Sequence, residues 1–441
     1  VRPPSVDVLA RSLADSGLPH PLLVGVARAT IAEDHPNLET LHAAAQRNAN
    51  DLASTLLQPV INATGVLLHT NMGRSPGAGV QPSDSAGVRY SNLEFDLSTG
   101  GRGSRHAHAA ALFARLVDAE AAIIVNNCAA AVTLTLAALA AGRGVAVSRS
   151  ELVEIGGGFR VPDVMEQSGA TLVEVGTTNR TRLADFRTVI EDDAKDVVMA
   201  LQVHQSNYKI VGFTESVSTQ ALSQLDVPVV ADIGSGLVDA ACPWLPDGPP
   251  SWLVDEPAAR QTLSQGADLV TFSADKLLGG TQAGIIAGRA DLVEKCRRHP
   301  LNRAFRPGGL VLASLQELAL TYLERQGDDI PFWRLATLPL PQLQARAEAM
   351  AATVGTGAVV AEMASVPGGG TLPSVEIPSV GIRIESDITA GLRLGGATPV
   401  IARVHEGHTH LDMRTIDPAD DAYVAELVRQ TLADSAGNAT A

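Results

Sequence analysis

Lysine is scarce in this chain, with four residues in 441 against 29 arginines. Cysteine is scarcer still: Cys128, Cys242 and Cys296 are odd in number and lack metal-ligand spacing, which speaks against a disulfide framework and against a zinc site. A reducing cytoplasm is the expected compartment, and no metal is expected. No N-terminal stretch joins a basic start to an apolar run, so no signal peptide is read. The longest apolar run, 128–141, is alanine-rich and too short for a bilayer, so it reads as a buried helix and no membrane is expected as a partner. Positive charge is lacking too. A formal net charge of −15 is against nonspecific nucleic-acid binding and against DNA as a partner, because phosphate contacts need clustered Lys and Arg. Any nucleic-acid contact has to be local and led by shape.

What is present is apolar and patterned. With 45% hydrophobic residues over this length, two or three domains are expected. Residues 1–58 carry helix-like apolar spacing broken at Gly17-Leu-Pro19 and His35-Pro36, which predicts a small helical domain. From residue 59 to 329 short runs such as Ala121-Ala-Ile-Ile-Val125, Pro228-Val-Val-Ala-Asp232 and Leu269-Val-Thr-Phe-Ser273 alternate with helical stretches. Runs nearly continuous in Val and Ile suit strands buried on both faces, so an α/β domain with a mostly parallel sheet is predicted. Residues 330–441 read as a smaller α+β domain. The stretch 245–257, dense in Pro and Gly, is the one that reads as loose.

The scarcity of lysine narrows the search for an amine. Lys276 follows the apolar run that starts at Leu269, and a lysine taken out of water must lose its proton or find a partner. A neutral lysine forms a Schiff base with a carbonyl or with pyridoxal phosphate; taken alone, Lys276 reads more readily as a strand-end lysine reaching solvent. In a parallel sheet ligands gather at the carboxyl ends of strands. There Asp232 reads either as a partner for a pyridinium nitrogen or as a cap for the following turn. Asn127, Cys128 and Ala129 pass from a strand into an alanine-rich helix and offer either free backbone amides for a phosphate or a plain capped turn. Ser273 can add a hydroxyl to that phosphate, and His204 reads as a ring stacked on a cofactor or as a core histidine. Arg303 and Arg306 are three apart, on one face if helical, while Arg74, Arg102 and Arg105 stand in Gly-rich settings. Planar guanidinium forks suit tetrahedral oxyanions, though each pair alone also reads as solvated.

Taken together, these residues make the chain resemble the bacterial selenocysteine synthases, the L-seryl-tRNA(Sec) selenium transferases. The resemblance rests on Pro59-Val-Ile-Asn-Ala-Thr-Gly-Val-Leu-Leu-His-Thr-Asn-Met-Gly-Arg74, Tyr90-Ser-Asn-Leu-Glu-Phe-Asp96, Asn126-Asn-Cys-Ala-Ala-Ala131, the stretches 148–160 and 174–180, and Phe272-Ser-Ala-Asp-Lys-Leu-Leu-Gly-Gly280. It implies a fold-type-I pyridoxal 5′-phosphate domain between a tRNA-binding N-terminal domain and a small C-terminal one. It further implies that Lys276 carries the cofactor, and that seryl-tRNA(Sec) is converted to selenocysteinyl-tRNA(Sec) through a cofactor-bound aminoacrylyl intermediate. Selenophosphate would be the selenium donor, with Arg74, Arg303 and Arg306 at the family's anion-holding positions and Arg102 and Arg105 as added candidates. The family also implies a homo-oligomer, a decamer built from dimers.

The chain departs from the family pattern at Cys128 and Thr281, where Asn and Pro are usual, and at Gly308-Gly309, where Asp-Lys is usual. The segment 75–88 is short and rich in Gly, Ser and Pro, and residues 1–58 hold four Arg against six acidic residues, so no basic patch marks a tRNA surface. The competing expectation is a pyridoxal-phosphate-dependent lyase acting on a small amino acid or an amino sugar phosphate. A tRNA-binding protein without catalysis is disfavoured, because Lys276 and Asp232 are both intact.

Overall fold

The computed structural model describes residues 3–77, 87, 89–155 and 158–439. Gly156 and Gly157 of the family-like stretch 148–160, and most of the Gly-rich segment 75–88, lie outside the described residues.

Residues 1–61 with 397–399 form one compact unit. It holds three α-helices, Val6–Ser12, His20–Ile31 and Leu38–Ser54. Each start is set locally: the Ser5 side chain accepts from Val8 N–H, Pro21 sits in the first turn of the second helix, and Asn37 and Thr40 form a capping box. Gly17 turns the chain at φ +73° after the first helix. Leu9, Leu13, Leu23 and Leu41 close a small core over Ala10, Ala45 and Ala49. Each such leucine contributes about 1.5–3 kcal/mol by leaving water.

Residues 62–396 and 400–441 form the second unit. Its centre is a seven-stranded sheet of β1 (Ala121–Val125), β2 (Gly144–Ser148), β3 (Thr171–Val175), β4 (Val197–Val203), β5 (Val229–Gly234), β6 (Leu269–Ser273) and β7 (Gly284–Gly288). The order is β1-β7-β6-β5-β4-β2-β3, with β7 antiparallel to both neighbours and every other pairing parallel. The apolar runs explain this: β2, β6 and β7 are buried along their whole length, and separate cores fill the two faces, one around Phe113, Phe272 and Trp333 and the other around Ile123, Leu134 and Met199. The mostly parallel α/β sheet expected from the sequence is therefore present.

The register decides where the chemistry sits. Asp232 on β5 lies opposite Val203 of β4 and Thr271 of β6, so the residues that leave all three strand ends converge. Close approach fixes a second junction: a Cβ built on Gly284 would lie 2.1 Å from the Asn127 carbonyl oxygen, so only glycine lets β7 run against the end of β1.

A second sheet orders the strands Arg403–His405, His408–Asp412, Ile377–Ile384, Ala358–Gly368 and Val66–Leu68. Its pairings are antiparallel except the last, where Val66 pairs with Val366 in parallel. The stretch that reads as loose is not loose. Leu245, Leu253 and Glu256 are buried, and Trp252 stacks on Trp333 with ring centroids 6.3 Å apart. Its Pro and Gly set turns, while its few large side chains anchor it to the core.

Candidate active site

Asp232 is buried at the end of β5, and one carboxylate oxygen accepts from the Thr271 hydroxyl at 3.0 Å and the Cys128 thiol at 3.5 Å. Burial pushes its carboxyl above the ordinary carboxylate range, opposed by the Thr271 bond and the nearby Lys276 charge. The thiol of Cys128 is pushed up as well, by burial and then by the adjoining Asp232 charge.

Lys276 lies in the tight link between β6 and β7. Leu277 N–H donates to the Ser235 carbonyl and Gly280 N–H to that of Ala274, while behind the turn the Tyr322 hydroxyl donates to the Leu278 carbonyl at 2.9 Å and accepts from Trp333. The amine is thus held on a rigid, packed support. Lys276 is only 5% exposed, and its Nζ donates to the Gly370 carbonyl at 3.0 Å. Burial lowers its proton affinity, against the pull of Cys128 and Asp232. An amine poised this way reacts with a carbonyl.

One cavity of about 200 Å³ gathers Lys276, Asp232, Asn127, Cys128, Ala129, Ser273 and Arg74 at its walls. Asn127 caps the helix Cys128–Ala140, its side chain accepting from Ala130 N–H at 2.8 Å. The first-turn amides of Cys128 and Ala129 have no acceptor within the helix and face an anion with the positive end of the helix dipole. Buried amine, buried carboxylate and helix-start amides around one cavity fit the aldehyde, ring nitrogen and phosphate of pyridoxal 5′-phosphate.

His204 stands elsewhere. Its backbone N–H donates to the Asp232 carbonyl at 2.9 Å, and the residue lines a second cavity of about 530 Å³ that has Asp232 as the one wall residue in common with the first. The arginines divide likewise. Arg74, at φ +64°, lines the first cavity and pairs with Asp275 at 2.6 Å. Arg102, Arg105 and Arg306 converge on Glu94 at 3.2, 3.0 and 3.2 Å, and Arg105 also donates to the Pro307 carbonyl. These arginines, Arg105 first, hold the Glu94 carboxyl below its usual range. The expectation of Arg303 and Arg306 on one helix face is corrected: the helix Pro300–Ala304 ends before Arg306, leaving Arg303 exposed and without an ionic or hydrogen-bonded partner among the described residues.

Thr271, Asp275 and Glu94 were not singled out from the sequence. Asp275 precedes Lys276 and Glu94 lies within Tyr90–Asp96, so position beside a motif was the available signal. Among the described residues, no group of three His, Cys, Asp or Glu side chains is placed to hold a metal ion, and no helix is long and apolar enough to cross a membrane.

With this geometry in place, comparison with known proteins is specific. The L-seryl-tRNA(Sec) selenium transferase of Moorella thermoacetica is 45% identical over 397 residues, covering 85% of this chain and 82% of that protein. That of Geobacter metallireducens is 41% identical over 453 aligned residues, covering 98% and 94%. Among solved structures, D-glucosaminate-6-phosphate ammonia-lyase superposes with a TM-score of 0.61 at 21% identity, over 88% of this chain and 99% of that one, which establishes a shared fold and no more. Residues 60–417 match the family described as SelA, L-seryl-tRNA selenium transferase, and the chain belongs to that family.

Proposed function

We propose that this protein is a cytoplasmic, pyridoxal 5′-phosphate-dependent enzyme that converts L-seryl-tRNA(Sec) to selenocysteinyl-tRNA(Sec), with selenophosphate as selenium donor. The observation that carries the reading is the buried Lys276 amine sharing one cavity with the buried Asp232 carboxylate and the helix start at Asn127. When bound there, the cofactor supplies an electron-withdrawing ring that makes a Cα proton acidic and lets a β-hydroxyl leave.

Lys276 would hold the cofactor covalently through its amine, and the same amine, when free, would serve as the base for a Cα proton. Asp232 would keep the ring nitrogen of the cofactor protonated, and the Thr271 bond helps to hold that carboxylate ionised. The amides of Cys128 and Ala129, with Asn127 and the Ser273 hydroxyl, hold the phosphate. Arg74, Arg303 and Arg306, with Arg102 and Arg105 in support, hold the anionic donor while selenium is delivered to Cβ. His204 belongs to the wall beside Asp232. The helical domain 1–58 serves tRNA through shape rather than charge, and a homo-oligomer, a decamer by likeness to the family, lets loop arginines of one subunit serve another.

A spectral titration of the purified holoprotein tests this reading. The visible cofactor band should change with L-seryl-tRNA(Sec) and stay unchanged with free L-serine. Response to free amino acids, or none to the charged tRNA, transfers the assignment to a small-molecule lyase.

A further inference from the structure

The mechanism above leaves several buried acids unused, and among the described residues one of them keeps a carboxylate oxygen without a partner. Glu256, in the stretch that reads as loose from its composition, has a side chain only 2% exposed, and its Oε1 has no hydrogen-bond partner. Its Oε2 lies 3.4 Å from Nε2 of His204, whose side chain is 24% exposed. That ring nitrogen is itself buried and without a hydrogen bond, because the contact has the distance of an ion pair but not the alignment of a hydrogen bond. Two unsatisfied polar groups facing each other in the interior are costly unless they serve a purpose, since a buried acid without a partner forfeits its hydration.

Their surroundings indicate the purpose. His204 follows β4 directly, and its backbone N–H is tied to the Asp232 carbonyl. Glu256, His204 and Asp232 all line the 530 Å³ cavity, and Asp232 is the one wall residue it shares with the Lys276 cavity. His204 also opposes, electrostatically, the burial that raises Asp232. The segment carrying Glu256 is held by Leu253 in the core and by Trp252 against Trp333, so its carboxylate is presented on a fixed support.

We propose that Glu256 is a positioning residue for the reaction: its carboxylate faces Nε2 of His204 at ion-pair distance and orients that imidazole, supporting Asp232 in its contact with the cofactor ring nitrogen. The proposal rests on the reading of Asp232 given above. The other ionisable groups around this cavity are Glu151, Tyr208, Lys209, Glu215 and Asp255, and the cavity that shares Asp232 adds Lys276, Cys128, Arg74 and Asp275. None of these others is paired with the His204 ring.

The test uses the holoenzyme, reading the pH profile of the visible cofactor band and the cofactor retained after gel filtration. Glu256→Gln should shift the band's midpoint by about half a pH unit or more and cause loss of cofactor on filtration. Glu256→Asp should restore part of both, and His204→Gln should reproduce the Glu256→Gln profile with no further shift in the double variant. Circular dichroism and thermal melting of each variant separate these effects from misfolding. A wild-type profile in Glu256→Gln, or additive shifts in the double variant, overturns the proposal. Asp232→Asn separates the two layers: a changed profile there with a wild-type Glu256→Gln rejects only the role of Glu256, whereas an unchanged profile in Asp232→Asn rejects the reading of Asp232 itself.

Discussion

Lys276 reaches across to Gly370, its Nζ donating to the backbone carbonyl at 3.0 Å, and a Cβ built at residue 370 would lie 2.9 Å from that nitrogen. Gly370 also sits at φ +84°, where a side chain is strained. Gly370→Ala should therefore push the amine off its seat and weaken cofactor binding about tenfold, equivalent to about 1.4 kcal/mol. Equilibrium titration with pyridoxal 5′-phosphate, followed in the visible range, measures it. Binding as tight as in the wild type would show that the amine moves freely before it reacts.

Removal of the amine itself is the sharper experiment. Lys276→Ala should lose the visible absorbance of the covalently held cofactor, while the fold survives, because the turn is held by backbone bonds to Ser235 and Ala274 and by Tyr322 rather than by the lysine. The melting temperature should change by a few degrees at most. A normal visible band in that variant would assign the covalent role to another residue.

Glu151 gives the molecule a pH dependence of known sign. Burial pushes its carboxyl up to about 8, against a backbone bond from Val203 N–H at 2.9 Å. Between the ordinary carboxylate range and pH 8 the folded state keeps a proton that the unfolded state has released. Stability contributed by the neutral acid is thus full at low pH and falls as pH rises towards 8, by up to about 1.4 kcal/mol per pH unit. Glu151→Gln keeps an acceptor for Val203 without the charge. The variant should be more stable than the wild type at pH 8, by about 1–3 kcal/mol, and no more stable at pH 5. Urea melts at the two pH values decide, and equal gains at both would exclude burial of the acid as the cause.

The fold was legible where one physical rule dominated. Continuous Val and Ile runs announced β1, β5 and β6 because both faces of a parallel strand are buried, and the scarcity of lysine isolated Lys276. The strand Ile377–Ile384 is harder to read from its residues, because Pro378 and Ser379 pair within the sheet despite their composition. Glu256 was hidden for a similar reason: Pro and Gly describe the turns of its segment, while its burial is decided by Trp252 and Leu253 packing on distant residues. The arginines were found as types but not as a group. Glu94 binds three of them from positions 8, 11 and 212 residues away, a convergence that spacing does not encode.

That convergence separates two arginines that look alike in sequence. Arg306 is tied to Glu94, whereas Arg303 is exposed and unpaired among the described residues, so its guanidinium is available to an incoming anion without breaking an ion pair. Arg303→Ala should leave thermal stability unchanged and slow delivery of selenium more than loss of the seryl hydroxyl. Arg306→Ala should show the same kinetic asymmetry together with a stability loss of about 1 kcal/mol or less, because the pair is partly solvated. Single-turnover assays that follow the two half-reactions separately, run beside thermal melts, distinguish the cases. Equal slowing of both half-reactions by Arg303→Ala would place this arginine on the seryl-tRNA side of the site rather than at the selenium donor.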